Sequence, residues 1–234
     1  MSSRPLIFCA LDTADLEQAR LWARAIGPVT GALKLGMEFV NAHGPAGIET
    51  VQKAAPDAAL FIDLKFHDIP NTVAGAVRTI CRNFAPAYLN VHAAGGRKMM
   101  EAAKEACEAT STNTKLLAVT ILTSLSEPEI IEVGYTSNLE EKVQKMALLA
   151  KDSGMDGVVC SPFEARYLRK KCGKNFDLIT PGVRPSNSDT NDQYRVMTPK
   201  HAISEGATHL VIGRPITDAP DLARAAQEIM DSLK

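Results

Sequence analysis

Ala59-Leu60-Phe61-Ile62-Asp63-Leu64-Lys65-Phe66-His67-Asp68-Ile69-Pro70-Asn71-Thr72 holds one apolar run, a set of charges at its end, and the opening of a helix at Thr72. The run Ala59–Leu64 is too short for a helix. It reads as a strand buried on both faces, as a parallel sheet requires. Seven further runs share this character: Leu6–Leu11, Val29–Leu35, Ala87–Val91, Leu116–Leu122, Gly157–Cys160, Phe176–Ile179 and Thr208–Ile212. Helix-period segments lie between them. Leu16, Ala19, Ala23 and Ile26 form one stripe, which Gly27-Pro28 is expected to end. Asn138, with Glu141 three residues on, reads as a cap. Leu139, Val143, Met146, Ala147 and Ala150 then share a face, and Gly154 suits the C-terminal cap. Leu222, Ala226, Ile229 and Met230 repeat the pattern near the end. Eight strands alternating with helices predict an α/β fold, a single-domain (β/α)8 TIM barrel over residues 1–234. A doubly wound open sheet is the alternative, but its GxGxxG marker is missing after the first run, which continues Ala10-Leu11-Asp12-Thr13-Ala14-Asp15.

Composition narrows the function classes. The chain has 234 residues, 45% of them hydrophobic, enough for a sizeable core. Its 26 basic and 27 acidic residues balance to −1, which speaks against a nucleic-acid partner and against a disordered polyelectrolyte. No apolar run approaches the roughly 18 residues of a membrane span. Met1-Ser2-Ser3-Arg4-Pro5 leads into an apolar stretch that Asp12 stops too soon for a signal peptide. The five cysteines are odd in number, lack a CxxC pair, and in part sit in apolar runs (Cys9, Cys160). Reduced thiols in a cytoplasmic protein are expected.

Barrel chemistry projects from the C-terminal ends of the strands. Polar residues expected there are Asp12, Lys34, Asp63 with Lys65, Thr123-Ser124, Ser161, Thr180-Pro181-Gly182 and Gly213-Arg214. Asp63 and Lys65 are two apart and so share a face, which their apolar neighbours make the barrel interior. Buried lysines and carboxylates must pair to be tolerated. Such a cluster is also what a structural ion-pair network at a barrel mouth looks like. Asp12 equally suits a helix N-cap, and Thr72 could simply cap its helix. Among the histidines only His92, at the end of the fourth run, stands near this face, and no metal-ligand spacing is present. The polar segment Pro181–Pro199 is a long loop between two strands.

The stretch Phe61–Thr72 resembles the signature of the orotidine 5'-monophosphate decarboxylase family, in its compact bacterial form. Further matches follow in order: Ala10-Leu11-Asp12, Leu33-Lys34, Leu122-Thr123-Ser124, Thr180-Pro181-Gly182-Val183-Arg184, Gln193 and Ile212-Gly213-Arg214-Pro215. The resemblance implies decarboxylation of orotidine 5'-monophosphate to uridine 5'-monophosphate, with no cofactor and no metal. It implies Lys65, Asp63, Asp68 and Lys34 as the catalytic set. Substrate contacts are implied for Asp12, Ile69, Thr72, Thr123, Ser124, Pro181, Arg184, Gln193, Gly213 and Arg214. A phosphate-closing loop at about residues 183–196 is implied too. So is a homodimer in which Asp68 and Thr72 reach the partner's site, with no nucleic acid or membrane partner. The physics agrees: carbanion-like charge on a ring carbon without an adjacent electron sink calls for a fixed ammonium, and carboxylates beside Lys65 favour its charged form. Loops after the seventh and eighth strands are where barrels bind phosphate. Two alternatives remain. A magnesium-dependent sugar-phosphate lyase of the same barrel group shares Asp63-x-Lys65-x-x-Asp68, but a Gly pair is expected where this chain has Ile69-Pro70-Asn71-Thr72. A nucleotide-binding sensor on a decayed barrel is opposed by the intact charge set.

Overall fold

The computed structural model describes residues 7–135, 138–184 and 197–233. Eight parallel strands close into a barrel in chain order, and the last, β8 (His209–Ile212), hydrogen-bonds the first, β1 (Ile7–Ala10). Between these lie β2 (Gly31–Gly36), β3 (Ala59–Phe66), β4 (Tyr88–His92), β5 (Lys115–Val119), β6 (Gly157–Val159) and β7 (Asp177–Thr180). The predicted barrel is therefore correct, and all eight runs hold a strand. Helices pack outside, among them α1 (Leu16–Thr30), α2 (Met37–Ala54, kinked at Gly44), α3 (Pro70–Phe84) and α4 (Gly96–Glu108). After them come α5 (Glu127–Glu132), α6 (Leu139–Asp152), α7 (Ala165–Cys172), α8 (Pro199–Ser204), α9 (Arg214–Thr217) and α10 (Leu222–Ser232).

Two boundaries differ from the sequence reading. Gly27-Pro28 does not stop α1, which runs one turn further and ends where Gly31, at φ +70°, donates its N–H to the Gly27 carbonyl. Val29 and Thr30 are therefore helical rather than the start of a strand. At the other end β5 stops at Val119, so Thr123 and Ser124 lie in a turn beyond the strand. The Asn138 cap holds: its side chain accepts from the Glu140 N–H at 2.8 Å, and Val143, Met146, Ala147 and Ala150 are buried on one face.

The core has two shells. Outward-facing strand residues such as Ile7, Leu33, Ile62 and Leu89 pack on the helices, whereas Phe8, Ala32, Phe61, Tyr88, Leu117 and Ile179 fill the barrel itself. All five cysteines are buried, and burial pushes the Cys9 thiol up to about 12, which makes it a poor nucleophile. At the N-terminal end the barrel is plugged by a polar layer. The Tyr88 hydroxyl donates to Asp177 at 2.8 Å and lies 3.1 Å from His209 Nε2, while Lys115 donates to the same Asp177 oxygen at 2.8 Å. Gly157 makes room for Asp177, whose carbonyl would lie 2.3 Å from any Cβ there.

Burial lowers the His209 pKa, against the pull of Asp177 and with the help of Lys115. The unfolded chain therefore binds a proton near pH 6.5 that the folded chain resists, so His209 adds stability above that pH and loses it as pH falls below. We expect the melting temperature to decline from pH 7 to 5, and less steeply in His209→Asn. Equal slopes in thermal melts of the two proteins would contradict this account of the plug.

Candidate active site

A cavity of about 670 Å³ opens at the C-terminal end of the barrel. Its floor is apolar, formed by Ala10, Phe61, Val119, Val159 and Val211. On one side stand Asp12, Lys34, Asp63 and Lys65; on the other Pro181, Arg184, Gly213 and Arg214.

The acidic and basic groups alternate in a row. Lys34, only 7% exposed, places its Nζ 3.2 Å from Asp12 Oδ1 and 3.4 Å from Asp63 Oδ2. Lys65 Nζ donates to the other Asp63 oxygen at 2.7 Å. Burial works against the charge on Lys34, but Asp63 and Asp12 outweigh it and hold the ammonium above the ordinary lysine range. Burial also opposes the Asp63 carboxylate, yet Lys34 and Lys65, with hydrogen bonds from Lys65 and Asn90, bring its pKa below the usual value. Asp12 is not the N-cap of α1; that role belongs to Asp15, which accepts from the Gln18 N–H at 2.9 Å. Gly36 belongs to this row as well, since a Cβ there would lie 3.2 Å from Asp12 Oδ1 and 3.3 Å from Lys34 Nζ.

Asp63 and Lys65 share the cavity, but not through regular strand alternation. The β3–β4 register shifts between Ile62 and Phe66, and Lys65 has a left-handed backbone at φ +52°. The buried side chain of Asn90 on β4 accepts from the Lys65 N–H at 2.8 Å and donates to Asp63 Oδ1 at 2.7 Å. His92, at the end of β4, stacks on His67 with centroids 5.3 Å apart. Burial, then His67 and Lys65, lower its pKa.

On the opposite wall Arg184 is buried and begins a segment whose base is closed. The Arg184 N–H donates to the Met197 carbonyl at 3.0 Å, and Met197 donates back to Gly182 at 3.4 Å. Gln193 and most of the expected closing loop at 183–196 lie outside the described residues. Arg214 opens α9 directly after Gly213, and both line the cavity. Thr123 reaches the wall from the turn beyond β5.

Ser124, Asp68, Ile69 and Thr72 are not brought to the cavity of their own chain. Asp68 is exposed and accepts from the Ile69 N–H at 2.6 Å; Ile69 itself is 66% exposed. Thr72 is exposed on the first turn of α3 but is not the cap, which is Ile69. Site residues that the sequence reading passed over are Asn90, Gly36, Trp22 and Ile121. Asn90 had a signal: it is the one amide inside an apolar run, two residues from inward-facing Tyr88. Among the described residues no three His, Cys, Asp or Glu side chains are grouped as a metal-binding set, and no helix is long and apolar enough to cross a membrane.

Fold and site place the protein among the (β/α)8-barrel enzymes. Residues 5–229 match the family model described as Orotidine 5'-phosphate decarboxylase / HUMPS family. The chain is 48% identical to the orotidine 5'-phosphate decarboxylase of Moorella thermoacetica, over 98% of this chain and 92% of that protein. It is equally identical to that of Rhodospirillum rubrum, over 98% and 94%. Its fold superposes on the crystal structure of orotidine 5'-phosphate decarboxylase from Lactobacillus acidophilus with a TM-score of 0.86 at 35% identity, covering 99% of this chain and 100% of that one. The chain belongs to the orotidine 5'-phosphate decarboxylase / HUMPS family.

Proposed function

We propose that this protein decarboxylates orotidine 5'-monophosphate to uridine 5'-monophosphate in pyrimidine biosynthesis, acting as a cytoplasmic homodimer without metal or cofactor. The observation that carries this reading is the alternating ion-paired row Asp12–Lys34–Asp63–Lys65, with Lys34 buried at its centre, at the mouth of a barrel of this family. Such a concentration of paired charge lining a cavity is where functional groups gather.

The chemistry follows from the row. As the carbon–carbon bond breaks, carbon dioxide leaves and the electron pair stays on the ring carbon. Lys65, held by Asp63 at 2.7 Å, offers a positive charge aimed at that carbon and then donates a proton to it. Asp63, kept ionised by Lys34 and Lys65, faces the substrate carboxylate, and their repulsion is relieved as carbon dioxide departs. Lys34 and Asp12 hold the ribose, and Thr123 with Ser124 reads the pyrimidine. The wall of Pro181, Arg184, Gly213 and Arg214 takes the phosphate, where a guanidinium meets two oxygens at once, and Gln193 is the further contact that the family resemblance implies. Asp68, Ile69 and Thr72 serve the partner's site, which suits their exposure outside the cavity of their own chain.

The test is incubation with orotidine 5'-monophosphate, following carbon dioxide release and identifying the nucleotide product. Uridine 5'-monophosphate is expected; a product that keeps its carboxylate would overturn the reading. Arg214→Ala is expected to lower kcat/KM about 100-fold, in line with the loss of a charged hydrogen-bonding pair of roughly 1.5–3 kcal/mol. Turnover of orotidine, which lacks the phosphate, should be untouched by the same substitution. Steady-state kinetics with both substrates checks this, and an equal loss for both would remove Arg214 from the phosphate site.

A further inference from the structure

Lys65 is one of three non-glycine residues with positive φ among the described residues, and the other two have local explanations. Ala85 caps the end of α3, and Ser111 sits in the turn after α4. Lys65 lies inside a strand, at φ +52°, where side-chain-bearing residues rarely go. A conformation of that kind persists only where its surroundings over-determine it. Here one side chain supplies the determination. Asn90 is fully buried, accepts from the Lys65 N–H at 2.8 Å, and donates to Asp63 Oδ1 at 2.7 Å. That same Asp63 oxygen receives the Lys65 ammonium at 2.7 Å. One carboxamide therefore fixes both ends of the Lys65 side chain, its backbone directly and its Nζ through Asp63. The shift in β3–β4 register between Ile62 and Phe66 is the local irregularity this clamp spans.

We infer that Asn90 is a positioning residue for the decarboxylation, holding the strained Lys65 backbone and the Asp63 carboxylate in the arrangement that aims the ammonium into the cavity. This rests on the reading of Lys65 as proton donor. An amide suits the clamp because its carbonyl oxygen accepts from Lys65 while its separate NH2 donates to Asp63. Misplacing a reacting group by about 1 Å costs on the order of 100-fold in rate, while binding of the nucleotide through its phosphate and ribose is left intact. The groups facing Asp63 are Lys34 from β2 and Lys65 from β3, with Asp12 beyond Lys34 and His92 further along the strand that carries Asn90.

The experiment compares wild type, Asn90→Leu, Asn90→Asp and Lys65→Ala by thermal melting, kcat, KM and the pH profile of kcat/KM with orotidine 5'-monophosphate. Asn90→Leu fills the same space with no polar group, and its kcat should fall at least 30-fold with KM within threefold. Asn90→Asp keeps the acceptor for Lys65 but sets a second carboxylate against Asp63. Its kcat should fall at least tenfold, and the acid limb of its profile should move to higher pH. Folded Asn90→Leu with kcat within threefold of wild type, or with its loss confined to KM, overturns the inference. If Asn90→Leu does not fold, Asn90→Asp decides alone, and a smaller fall in kcat or an unmoved acid limb overturns it. Lys65→Ala separates the two levels. Should it turn over within tenfold of wild type, the reading of Lys65 fails; should it be inactive while the Asn90 variants keep wild-type kcat, only the clamp fails.

Discussion

Lys65→Ala is expected to lower kcat by about 10⁴-fold or more while the protein still folds. Removing a preorganised charge from a site of developing negative charge costs roughly 10²–10³-fold. Removing a positioned general acid costs roughly 10²–10⁴-fold, and here both losses fall on one side chain. The fold should survive because the Lys65 side chain is partly exposed at the barrel mouth. Its loss also relieves no strain, since alanine at φ +52° is as unfavourable as lysine. Single-turnover kinetics with melting curves checks this. Turnover within tenfold of wild type, about 1.4 kcal/mol of barrier, is too little for the main charge stabiliser and would end that role.

The second large effect concerns Asp68. Asp68→Ala is expected to be nearly inactive, although Asp68 lies outside the cavity of its own chain. A twofold dimer would set it beside the partner's Lys65, completing the alternation one step beyond the Asp12–Lys34–Asp63–Lys65 row. Joint refolding of Lys65→Ala with Asp68→Ala tests the arrangement. In a mixed dimer one site collects both defects and the other has both residues intact. Random pairing makes about half the dimers mixed, each with one good site of two, so about a quarter of wild-type activity should return. No recovery, with mixed dimers shown to form, would return Asp68 to its own subunit.

How legible these features were depended on what each one rests on. The barrel could be read because strands buried on both faces must be apolar throughout, and eight such runs leave few other architectures. Its edges blurred where apolar residues continue past the strand. Val29 lies in the last turn of a helix that runs on through Pro28 to Thr30, and Ile121-Leu122 leave β5 to line the cavity. Lys34, Asp63 and Lys65 were legible because charge among apolar neighbours is costly and so carries information. Asn90 was not, since an uncharged amide in an apolar run reads as tolerated polarity until both of its hydrogen bonds are seen. The left-handed turn at Lys65 leaves no mark in residue type, because lysine has no preference for it. Asp12 was ambiguous between cap and site, and the capping bond of Asp15 removes the cap of α1 as its role.

The claim at the centre of this account is that lysines, not a metal, supply the positive charge. It is tested most directly by turnover of exhaustively chelated protein with orotidine 5'-monophosphate, followed through the ultraviolet absorbance of the pyrimidine. The account predicts an undiminished rate that added magnesium does not raise. A rate that vanishes on chelation and returns only with magnesium would contradict it, and would give the metal the role assigned here to Lys34 and Lys65.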